Sequence, residues 1–251
     1  MTLKEKIGWK HSSPIWEKTL ADEQNRIFSG KAVQFTYYCY ASKAYDYAVE
    51  CFLVAGSKTK KKDAETVVHA ALEYFYGNWR KTLTTPDGKT GQAEWNSFCL
   101  WYEEVIRSLP WASALGDWES VRKIAEYPPE NMLPEASKAK GETAWVWALV
   151  TFLRGHSKNQ IEPFLKKAET DNAKRPKLLC PVLRALLDKD EVLFGKALLT
   201  YLAYYRKNEF KMDSEKVLAL TGTTLYHLGR KQGFEVNLPE NVADHIIRLQ
   251  K

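Results

Sequence analysis

The chain has 251 residues, 45% apolar and 27% charged, with Gly 13 and Pro 10. That balance excludes a disordered or low-complexity protein and gives a core of ordinary size. The net charge of +6 is unevenly spread: residues 1–90 carry +4, residues 91–135 carry −5 and residues 136–251 carry +7.

In chain order the dominant signal is helical spacing. The N-terminus has no apolar stretch of the export type, so a cytoplasmic protein is expected. From Ala32 to Val54, Phe35, Tyr38, Cys39, Ser42, Tyr45, Ala48, Val49, Phe52 and Leu53 recur every three or four residues, which predicts a helix. Gly56-Ser57 ends it, and the basic run Lys58-Thr-Lys60-Lys61-Lys62 reads as a solvated loop. Asp63 is placed to cap a second helix that runs toward Trp79. Thr84-Thr-Pro86-Asp87-Gly88 is a turn signal and the best boundary in the sequence. It divides a 1–90 helical layer from a 91–251 helical-repeat part, the two expected to form one continuous domain.

The second part reads as helix pairs. A helix from Ala93 to Ile106 leads to a turn at Gly116-Asp117-Trp118, then to a short helix ended by Tyr127-Pro128-Pro129. A helix from Thr143 to Leu153 turns at Arg154-Gly155-His156-Ser157 into one carrying Ile161, Phe164, Leu165 and Ala168. A third pair turns at Asp188-Lys189-Asp190 and continues through Leu193, Ala197, Leu198, Leu202 and Tyr205. The turns lie 39 and then 34 residues apart, a spacing typical of stacked helical hairpins. A last long helix, Lys216 to Arg230, should stop at Gly233, with a short one over Asn241–Leu249 after Pro239. No regular series of short alternating segments predicts strands. The fold class is all-α, an irregular helical-hairpin repeat (a tetratricopeptide-like solenoid) or a helical bundle.

Catalytic and metal signatures are absent. Gly88-Lys89-Thr90 resembles the end of a phosphate-binding loop, but Leu83 stands where a glycine is needed. The four cysteines, at 39, 51, 99 and 180, form no CxxC, and the five histidines are scattered. Cys180, beside Pro181, reads as a small buried hydrophobe. No apolar run is long enough to cross a membrane; the longest is Trp145 to Leu153, broken by Thr151. A non-enzyme without cofactor or metal is expected. Trp145 and Trp147 lie some 200° apart on a helix, so one should pack within a hairpin and the other between hairpins. Trp111 and Trp118 bracket a turn, where either can anchor a partner or pack. The acidic middle segment suits a basic partner.

The C-terminal half carries Trp145-x-Trp-Ala-Leu-Val-x-Phe-Leu-Arg154 and then Ala197-Leu-Leu-x-Tyr-Leu-Ala203-x-Tyr-Arg206. These are followed by Leu218-Ala-Leu, Leu225-Tyr-His-Leu-Gly-Arg230-Lys-Gln-Gly233-Phe-Glu-Val and Leu238-Pro239-Glu. Together they resemble the immunity protein 49 family of bacterial polymorphic-toxin systems, over residues 140–245 and more loosely the whole length. Where that family has an acidic residue after the arginine that ends the Trp helix, this chain has Gly155-His156. The resemblance implies an all-helical, non-catalytic immunity protein of the cytoplasm that binds a cognate toxin and neutralises it by occlusion. On that reading Glu94, Glu103, Glu104, Trp111, Asp117, Trp118 and Glu119 are the candidate toxin-binding residues, and neither nucleic acid nor membrane is an expected partner. A tetratricopeptide-like scaffold for an endogenous protein or peptide is the alternative. The oligomeric state and the nature of the toxin are open at this stage.

Overall fold

The computed structural model describes residues 13–32, 34–55, 61–82, 105–126, 138–207 and 218–249, and among them there is no strand. The chain divides into two compact units, Met1–Ser120 with Ile247–Lys251, and Val121–Ile246. The predicted boundary at Thr84–Gly88 lies outside the described residues, as do Ala93–Glu104 and Tyr127–Pro129.

In the first unit, α1 (Ser13–Phe28), α2 (Gln34–Ala55) and α3 (Lys61–Thr82) pack in sequence order, and residues 105–115 form α4. The C-terminal half of the stripe read from the sequence is buried, at Tyr45, Ala48, Val49, Phe52 and Leu53, and Trp111 of α4 meets Phe52 edge-on at 6.4 Å; nearer the start of α2 the buried residues are Tyr40, Ala41 and Ala44, while Tyr38, Cys39 and Ser42 are only half-buried. Small residues let α2 and α3 approach closely. A methyl group at Gly77 would lie 2.3 Å from the Tyr37 ring. Asp63 is not a cap, because α3 starts at Lys61; the carboxylate sits in the first turn, where it faces the positive end of the helix dipole.

The boundary falls within α5 (Trp118–Ala125). The second unit then holds α6 (Gly141–Leu153), α7 (Lys158–Glu169), α8 (Lys174–Asp188), α9 (Glu191–Lys207), α10 (Leu220–Lys231) and α11 (Glu240–Ala243). Two of the expected hairpins are present, α6 with α7 and α8 with α9, and α8 packs on α6, α7 and α10 as well. From Ala144 to Val150 α6 is apolar all round, and from Ala144 to Thr151 it is buried on every side. Trp145 and Trp147 are therefore both inside; Trp147 stacks on Phe164 of α7 at 6.4 Å, the contact expected within a hairpin. The terminal helix is only four residues long, shorter than the expected Asn241–Leu249, because the chain turns at Asp244-His245. There the His245 carbonyl accepts the Ala219 amide at 2.8 Å.

Among the described residues one turn recurs five times. Gly30, Gly116, Gly155, Lys189 and Gly233 each follow a helix in the left-handed conformation, at φ from +54° to +88°. Each closes the same pair of bonds. At Gly155, for example, the Gly155 amide reaches the Phe152 carbonyl at 2.9 Å and the His156 amide reaches Thr151 at 3.2 Å. This is the Schellman arrangement, which satisfies the last carbonyls of a helix while reversing the chain. Two of these turns run straight into the next helix through an aspartate cap: Asp117 Oδ1 accepts the Ser120 amide at 3.0 Å, and Asp190 Oδ1 accepts the Leu193 amide at 2.9 Å.

Candidate binding surface

The residues proposed from the sequence do not form one exposed patch. Glu94, Glu103 and Glu104 lie outside the described residues. Trp111 is fully buried, which corrects its reading as a possible surface anchor: an indole against Phe52 removes more apolar area from water than an exposed one. Asp117 holds the start of α5, with one carboxylate oxygen on the Ser120 amide and the other accepting the Ser120 hydroxyl at 2.7 Å. Trp118 is half-buried beside it, and Glu119 is exposed in the first turn of α5.

Arg154, which ends the Trp helix, has a structural task. Its Nε donates to the Ala125 carbonyl at 2.6 Å and so ties the end of α6 to the end of α5. A charged cluster of the second unit is also structural. Arg184 of α8 grips two carboxylates of α7, with Nη2 2.8 Å from Glu162 Oε1 and Nη1 2.5 Å from Glu169 Oε1. The guanidinium hydrogen bonds hold the Glu169 carboxyl below its ordinary range against a smaller opposing effect of burial, and the Arg184 proton is held more tightly still.

Cys180 lies beneath this cluster. Burial, reinforced by the charge of Glu169, pushes its thiol up to about 12, and Sγ donates to the Leu165 carbonyl at 3.6 Å. A thiol in that state is a packing group and not a nucleophile. Tyr40 is likewise pushed up to about 12, by burial and then by Glu73. Among the described residues no three His, Cys, Asp or Glu side chains come together as a metal site would require. No described helix is long and apolar enough to cross a membrane.

The carboxylates of the second unit between residues 138 and 207 all have partners. Residues 138–207 contain fourteen Lys/Arg and seven Asp/Glu. All seven carboxylates have partners within the unit. Glu142 pairs with Arg175, Glu162 and Glu169 with Arg184, and Asp188 with Lys158, while Asp171, Asp190 and Glu191 accept backbone amides. Exposed lysines stand at 166, 177, 189 and 196, while Asp171, Asp190 and Glu191 keep their negative charge in accepting backbone amides.

Sequence reading missed two exposed aliphatic side chains. Leu193 belongs by spacing to the predicted apolar stripe, yet it is 55% exposed and its neighbour Val192 is 80% exposed. The buried stripe of α9 is Phe194, Leu198, Tyr201, Leu202 and Tyr205. Three apolar residues in a row at 192–194 cannot all face inward from a helix, and the ring of Phe194 buries the most area. The 194–198–201–205 spacing was the available signal. No family model, curated protein or solved structure matches the chain.

Proposed function

We propose that this chain is an immunity protein: a non-catalytic helical-hairpin protein that binds a cognate bacterial toxin in the cytoplasm and neutralises it by covering its working surface. The observation that supports this reading best is the stack α6–α9. Its hairpins are closed by Schellman turns, and its carboxylates are tied into ion pairs and backbone contacts. What such a stack offers outward is a fixed relief and a fixed charge, which suits recognition by complementarity. A blocking interface of ordinary size covers about 1,200–2,000 Å² in total, well within reach of two hairpins.

The elements that carry the family resemblance are α6, α9 and α10, and their distinctive residues act in the scaffold: Arg154 on the Ala125 carbonyl, and Gly233 as the left-handed stop of α10. The test is to express the chain together with the toxin domain encoded beside it. Survival of the cells and recovery of the two proteins as one complex are expected. Killing at the rate seen without the chain, with no complex, overturns the proposal. Recovery of a host protein in place of the toxin points to the scaffold alternative.

A further inference from the structure

We draw no further inference here: the strongest candidate, the exposed aliphatic pair Val192 and Leu193 at the tip of the α8–α9 hairpin, is ringed by charges of both signs at Lys189, Asp190, Glu191, Lys196 and Glu235, and nothing in the structure shows what covers it.

Discussion

Two glycines sit in helices that pack on one another, Gly195 in α9 and Gly229 in α10, and an added methyl group meets different surroundings at each. At Gly195 nothing lies within 4 Å of the new carbon. At Gly229 it falls 2.4 Å from Phe194 Cε1 and 2.5 Å from Cζ. The Phe194 ring is fully buried and packed against Phe234, so it has little room to swing away. Both substitutions gain the helix propensity of alanine over glycine, about 0.5–1 kcal/mol. Overpacking a filled core costs about 1–3 kcal/mol, and a contact this short belongs near the upper end. Gly195→Ala should therefore stabilise by about 0.5–1 kcal/mol and Gly229→Ala should destabilise by about 1–2 kcal/mol. The assay is urea unfolding followed by circular dichroism, with melting midpoints as a check; for a chain of this size each kcal/mol shifts the midpoint by roughly 2–4 °C. Phe194→Leu in the Gly229→Ala background should recover part of the loss, beyond what the two single variants predict. If Gly229→Ala proves as stable as Gly195→Ala, the close packing of α9 on α10 is not as described.

Three further outcomes test the scaffold. Arg184→Met should cost about 1–2 kcal/mol near neutral pH, because a part-exposed two-carboxylate grip exceeds a single surface pair. The Glu169 carboxyl is held low in the folded chain, so its contribution is complete above the ordinary carboxylate range and is lost as pH falls through the depressed value. The gap between wild type and Arg184→Met, read by urea unfolding at a series of pH values, should close below about pH 4; a gap independent of pH would contradict the pairing. Cys180 should stay unlabelled by iodoacetamide at pH 8 in the folded protein, where a thiol pushed up to about 12 is only ~0.01% thiolate and is also covered; labelling as fast as in urea, measured by peptide mass, would show that α8 does not bury it. Asp117→Ala should lose about 1 kcal/mol of unfolding free energy by removing the cap of α5, while Asp117→Asn, which keeps the acceptor oxygen, stays within about 0.5 kcal/mol of wild type. Equal losses in the two variants would mean that charge, and not capping, is what Asp117 supplies.

The sequence by itself determined the parts that depend on neighbours along the chain. Spacing at three and four residues marked α2 and the pairs α6/α7 and α8/α9, and glycine past a helix end marked the turns at 116, 155 and 233, because helix periodicity and left-handed stops are local properties. Even Lys189 was found as a turn, from its flanking aspartates. Which way each side chain faces was decided only by tertiary packing. Trp111 went inside and left the turn without the exposed anchor it could have had. Trp145 and Trp147 both went inside because α6 is covered on every side, and Leu193 yielded its expected place in the core to Phe194. The pairing of charges was settled in the same way: Arg184, Arg175 and Lys158 meet carboxylates from other helices, and no spacing along the chain announces those pairs. A helix's own spacing says which residues share a face; which face is buried depends on partners far away in the chain, and those contacts exist only once the helices have packed.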